Sequence, residues 1–163
     1  MVLKILLPAL TIVTAWLGGL STFYTDWTWY ESLNKATFNP PNYLFGIVWP
    51  ILYTMMGVVS YFNSKHIYKL FILQLVLNGS WSWIFFAYQA PDLAFINIAA
   101  LIAVNVLIIK KLWLERSFLS FIGYVPYLLW LLFASYLNIS ISDFLGGNAK
   151  TINGCNKRCN RSA

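Results

Sequence analysis

No aspartate, glutamate, lysine, arginine or histidine lies inside any of five long apolar stretches of this chain: 5–24, 43–62, 70–90, 93–109 and 118–141. Charge of either sign is scarce, at 10% of residues, and there is one histidine, His66. Intramembrane ionisable groups mark ion pathways and proton relays, so their absence argues against a proton-coupled pump. No Ser-His-Asp set, carboxylate pair, phosphate loop or metal cluster can be assembled from what remains. The two cysteines, Cys155 and Cys159, stand in a polar tail without a second pair or a nearby histidine, a poor metal site. No metal and no obligatory cofactor is therefore expected.

What is present is apolar surface: 60% of the 163 residues are hydrophobic and 18% aromatic, with eight Trp, ten Tyr and twelve Phe. A bilayer core of about 30 Å needs about 20 predominantly apolar residues per helix, and each stretch is long enough or nearly so. The backbone must satisfy its own hydrogen bonds in lipid, leaving helices or a closed barrel. Continuous runs without polar alternation select helices. The expected fold class is an all-α membrane protein, a five-transmembrane-helix bundle with the lipid bilayer as its solvent. The expected domains are residues 1–142 for the bundle and 143–163 for a basic, unstructured tail.

The net charge of +6 follows the loops and needs no nucleic-acid partner. Lys4, Lys65, Lys69, Lys110, Lys111 and Arg116 would share one side, and by the positive-inside rule this places the N-terminus in the cytoplasm. The tail bases Lys150, Lys157, Arg158 and Arg161, with Lys35, oppose that bias. The first stretch has no small-x-small cleavage site and is expected to stay as a helix. With no targeting segment before it, a bacterial cytoplasmic membrane is the default location. His66 reads as a solvated loop residue.

Helical spacing brings three faces together. Gly46, Trp49, Tyr53 and Gly57 share one face of the second stretch. Asn78, Trp81, Ser82 and Phe85 share one of the third, and Pro126, Trp130, Ala134, Leu137 and Asn138 one of the fifth. Flat rings beside small and polar residues suit an apolar cavity for a planar hydrophobic ligand. The same residues equally suit close helix packing in lipid. Asn97, Asn105, Ala99 and Ala103 on the fourth stretch fit packing better, and the two alanines would also permit a homodimer.

The residues Trp29-Tyr-Glu-Ser-Leu-Asn-Lys35, Phe38-Asn-Pro-Pro41 and Val48-Trp-Pro-Ile-Leu-Tyr53 resemble the TspO/MBR family, the tryptophan-rich sensory proteins and translocator proteins. The resemblance continues through Gln74-Leu-Val-Leu-Asn78, Trp81-Ser82, Phe85-Phe86, Pro126-Tyr-Leu-Leu-Trp130 and Phe133-Ala-Ser-Tyr-Leu-Asn138, in order, across residues 5–141. It implies a five-helix bundle, often dimeric, binding protoporphyrin IX-type porphyrins, benzodiazepine-type ligands or sterols beneath the first loop. By motif, the ligand-binding residues would be Tyr30, Pro40, Pro41, Trp49, Tyr53, Asn78, Trp81, Ser82, Trp130, Ala134 and Leu137. Some bacterial members are reported to degrade porphyrin in light, which would make Trp49 and Trp130 the redox-active pair. Receptor, enzyme and facilitated transporter are thus the three functions implied, and an outer mitochondrial membrane is a second location. Lys35-Ala36 departs from the family's usual Lys-Pro, and the cysteine-bearing tail is atypical.

Overall fold

A computed structural model of the chain describes residues 1–33 and 39–141. Every regular element in those residues is helical. Helix α1 spans Val2–Leu20 and tightens into a 3-10 turn, Ser21–Tyr24. A short α2, Trp27–Ser32, follows. Helix α3 covers Asn42–Ser82 and runs into a π-helical turn, Trp83–Ala87. Helices α4, Pro91–Leu114, and α5, Phe118–Ile141, complete an all-α bundle. The residues reserved for a polar tail, with Cys155 and Cys159, lie outside the described residues, as does Lys35-Ala36.

One expectation is corrected. The 43–62 and 70–90 stretches are not parted by a loop. They are two helices within Asn42–Ser82 that meet directly at a kink, where Asn63 leaves helical geometry at φ −112° and ψ 15° and residues 64–69 belong to the second helix. A straight helix would hold Tyr53 and Asn78 about 37 Å apart at 1.5 Å per residue. Instead the Tyr53 hydroxyl donates to Asn78 Oδ1. The arms 42–62 and 64–82 therefore fold back side by side, making five membrane-crossing segments from four long helices. The Asn63 amide holds the break from within, donating to Val59 O at 3.0 Å and to Ser120 Oγ on α5 at 2.7 Å. His66 accordingly stands on a helix, not in a loop, with Nδ1 3.2 Å from Glu115 Oε1 in an exposed pair.

The remaining reversals are tight. After α4, the Arg116 N–H reaches Trp113 O and the Ser117 N–H reaches Leu112 O, both at 3.0 Å, with Arg116 in the left-handed region (φ 54°). That is the Schellman pattern, with arginine where glycine is usual. After the π turn, Gln89 adopts φ 52° and the Ala90 N–H returns to Ile84 O. Proline at the first position of α4 costs no helical hydrogen bond.

Packing runs in a ring. Gly57 of the first α3 arm faces Pro8 of α1, and Gly79 of the second arm faces Thr14. The second arm also anchors to α1 through Trp83 Nε1, which donates to Leu17 O at 3.1 Å. Helix α5 closes on the first arm where Gly123 meets Val59, and on α4 where the Tyr124 hydroxyl donates to Asn105 Oδ1 at 2.8 Å. Leu7, Met56, Phe71, Ile108, Leu112 and Leu131 fill the apolar core.

Through that core runs a polar ladder. Tyr53 donates to Asn78, Asn78 Nδ2 donates to the Tyr127 hydroxyl at 2.8 Å, and Tyr127 donates to Gln74 Oε1 at 3.0 Å. It joins both arms of α3 to α5, with Gln74 and Tyr127 fully buried. Removing one rung leaves partners unpaired in an apolar medium, and interhelical hydrogen bonds in lipid run to about 1–2 kcal/mol. Tyr127→Phe should therefore destabilise the bundle by about 1–2 kcal/mol. Asn97→Leu should be neutral or stabilising, because Asn97 Oδ1 is buried without a partner. Reversible unfolding in mixed detergent measures both; equal losses for the two variants would deny the ladder its role.

Candidate functional site

Small residues open the bundle at one end. Gly18 and Gly19 on α1, Gly46 on the first arm of α3 and Ala134 on α5 all border a cavity of about 390 Å³. A Cβ added at Gly19 or Gly46 meets nothing within 4 Å, so the missing side chains translate directly into free space. Pro50, one turn beyond Gly46, lacks the N–H that the Gly46 carbonyl would otherwise accept.

Aromatic rings wall this space. Trp81 and Phe85 stack at 5.3 Å and 15°, presenting a flat surface from the second α3 arm and the π turn. Phe86 meets Phe85 edge-on at 5.0 Å. Across the cavity, Trp49 and Tyr53 lie 5.6 Å apart at 32° on the first arm. The π turn matters to this geometry. Its extra residue per turn advances the helical phase, and Phe85 and Phe86 of that turn both line the cavity. Leu137, Asn138 and Ile141 complete the α5 wall, and Phe45, Ser82 and Thr22 fill the gaps. Among the described residues, no charged side chain lines the cavity.

A lid sits on the aromatic end. Asp26 caps α2, accepting from the backbone N–H of Thr28 at 2.9 Å and of Trp29 at 3.4 Å, and from the Thr28 hydroxyl. The cap aims the next two rings downward: Trp29 packs on Phe85 (6.1 Å) and Tyr30 on Phe86 (6.1 Å). Tyr30 is buried there, and burial pushes its phenol pKa up.

The residues singled out by sequence do not all reach the cavity. Trp49, Tyr53, Trp81, Ser82, Ala134 and Leu137 line the cavity together. Trp130 stands behind the wall, edge-on to Trp49 at 6.5 Å and to Phe45 at 5.7 Å, and Asn78 lies below Tyr53 within the polar ladder. Tyr30 belongs to the lid. Pro40 and Pro41 lead into α3 and are not among the lining residues; Pro41 is exposed. Of the helical faces, Gly57 and Pro126 also lie off the cavity, Gly57 against Pro8 and Pro126 exposed.

The α1 contribution was missed by sequence reasoning. Ala15, Gly18, Gly19 and Thr22 line the cavity. Their small-residue spacing along α1 was the available signal, but without a ring or amide beside it nothing distinguished it from ordinary packing. Helical spacing had placed Asn138 on an α5 face, but the binding set omitted it.

Comparison with known proteins agrees with this architecture. A sequence profile described as the TspO/MBR family matches residues 6–143. The chain is 35% identical over 148 residues to the tryptophan-rich protein TspO of Archaeoglobus fulgidus, covering 86% of this chain and 95% of that one. It is 36% identical to the Chlorobaculum tepidum protein of the same name, over 69% of this chain and 77% of that one. Against the human translocator protein, identity is 32% over 69% of this chain and 72% of the human one.

The lid carries its own pH dependence. Hydrogen bonds, the Thr28 hydroxyl's foremost, hold the Asp26 carboxyl below its ordinary 3.8. A depressed carboxylate stabilises α2 above its unfolded value, and that contribution disappears as pH falls through the folded one. The amide proton shifts of Thr28 and Trp29 should therefore move together on acidification below pH 3.8, and not above it. Asp26→Asn should abolish this titration while keeping the cap. Amide shifts that ignore pH in the native protein would show that Asp26 does not hold α2.

Proposed function

The chain belongs to the TspO/MBR family of multi-pass membrane proteins, and on that footing we propose that it is a membrane receptor for flat hydrophobic ligands of the porphyrin type. The observation that carries this reading is the uncharged cavity bounded by Trp49, Trp81 and Phe85. Burial of a large aromatic ligand supplies about 25 cal/mol per Å² without an ionic contact. Stacking on a flat indole or phenyl face adds orientation. Trp49 and the Trp81–Phe85 pair would hold the two ligand faces, Ala134 and Leu137 would pack its edge, and α2 would cover it. Asn78 would act at one remove by fixing the Tyr53 ring. The notional bacterial cytoplasmic location, the cytoplasmic N-terminus and the homodimer belong to the same proposal.

A second reading is enzymatic, and one observation favours it: Trp49 on the wall has Trp130 edge-on behind it at 6.5 Å. A porphyrin excited by light could take an electron from Trp49 and pass it to dioxygen; addition of the resulting superoxide to the macrocycle and return of the electron to the Trp49–Trp130 pair would leave a dioxygenated porphyrin and both indoles restored. Facilitated transport is the third reading, and the charge-free wall suits passage without ion coupling.

Titration of the purified protein with protoporphyrin IX in darkness, followed by tryptophan fluorescence, should give saturable quenching. Trp49→Ala should weaken binding roughly tenfold, the scale of about 1–1.5 kcal/mol for a lost aromatic contact. Trp130→Ala should weaken it less, since Trp130 does not line the cavity. A porphyrin spectrum stable under illumination supports the receptor, whereas a Trp49-dependent bleaching supports the enzyme. Absence of saturable quenching sinks the porphyrin reading.

A further inference from the structure

Asn138 differs from the other core asparagines. Asn63, Asn78 and Asn105 each hold hydrogen bonds within the bundle. Asn138 is 1% exposed, borders the cavity, and has neither its Nδ2 nor its Oδ1 engaged. A buried amide with both ends unpartnered is costly in an apolar setting. Trp81, which also lines the cavity, has a buried Nε1–H that is likewise unpartnered. The cavity wall thus offers an unpartnered donor–acceptor pair and an unpartnered donor, beside the hydroxyls of Thr22, Tyr53 and Ser82, and no charge among the described residues.

We propose that Asn138 recognises a neutral hydrogen-bond donor set beside an acceptor on the ligand, with Trp81 Nε1 donating to a second acceptor. A carboxamide pairs face to face with such a group: Nδ2–H donates to a ligand carbonyl while Oδ1 accepts from its N–H or O–H. Two groups have that chemistry, a lactam and an undissociated carboxylic acid. An ionised carboxylate is disfavoured, because no cation among the described lining residues replaces its hydration. A cyclic porphyrin turns its N–H groups inward and offers this pair only through a protonated propionic acid. A linear, lactam-ended tetrapyrrole offers it at both ends at any pH. The proposal rests on the tetrapyrrole reading of the cavity and sharpens it to a polar specificity.

Three probes separate the cases: bilirubin dimethyl ester (lactams, no acid), protoporphyrin IX (acid only) and its dimethyl ester (neither). In the wild-type protein and Asn138→Leu, dissociation constants would be measured by tryptophan quenching at pH 5 and pH 8. Bilirubin dimethyl ester should bind the wild type about tenfold tighter than Asn138→Leu at both pH values, two lost hydrogen bonds being worth about that factor. Protoporphyrin dimethyl ester should bind both proteins within about twofold. An Asn138-dependent gain for protoporphyrin IX at pH 5 alone would identify the undissociated acid as the group recognised. Equal affinities of the two proteins for every probe overturn the role of Asn138 and leave the tetrapyrrole reading intact. Failure of all three probes to bind the wild type overturns both. A measurement free of substitution guards against misfolding: the Asn138 amide and Trp81 indole proton resonances should move downfield when bilirubin dimethyl ester binds, and unmoved resonances with saturated binding overturn the proposal.

Discussion

The ladder from Tyr53 through Asn78 and Tyr127 to Gln74 is the interaction on which the rest depends. In lipid, apolar side chains gain little by meeting one another instead of acyl chains, so the hydrophobic effect cannot set the register of helices. Polar groups can, because each has few alternatives to its partner. Here the ladder ties both arms of α3 to α5, while Asn63 with Ser120 and Asn105 with Tyr124 fix the lower rungs. Once those are set, the positions of Gly46, Trp49 and Trp81 relative to Ala134 follow from helix geometry alone. The cavity begins where the ladder ends, at the Tyr53 ring.

That arrangement divides the asparagines by task. Three serve the bundle and hold partners; Asn138, one turn beyond Ala134, faces the cavity instead. Gln74 Nε2 and Asn97 Oδ1 are also buried without a partner, but neither residue lines the cavity, whereas Asn138 does. Small residues play a similar double part. Gly57 and Gly79 bring helices together below the cavity, whereas Gly19 and Gly46 leave space within it.

Much of this was legible in the chain. Uninterrupted apolar length dictated five crossings, and helical spacing put Trp49, Tyr53, Trp81, Ser82, Ala134 and Leu137 on converging faces. Motif order gave the family directly. The reversal between 62 and 70 was legible from the polar run around Lys65 and His66, but not its form, because a kink at a single asparagine leaves no glycine or proline to mark it and the polar run reads as an ordinary loop. The π turn was equally hidden, since nothing in Trp83-Ile-Phe-Phe-Ala87 distinguishes one extra residue per turn from α-helix. Trp130 shows the limit of face arguments: spacing aligned it with Ala134, yet it packs edge-on against Trp49 and is not among the lining residues.

The position of Trp130 also bears on mechanism. An indole in direct contact with an excited ligand is the first electron donor and suffers the first damage. A second indole at 6.5 Å, edge-on and screened from the cavity by the first, can refill the hole without touching the ligand. The same pair in a plain receptor would be packing, with Trp130 bracing the wall against collapse into the free volume left by Gly46. Both roles need Trp49 and Trp130 in contact, but only the redox role needs the indole at Trp130. A phenylalanine there would still brace the wall in part but, lacking the electron-rich indole π system, would donate no electron, so the two functions part at how easily the ring is oxidised.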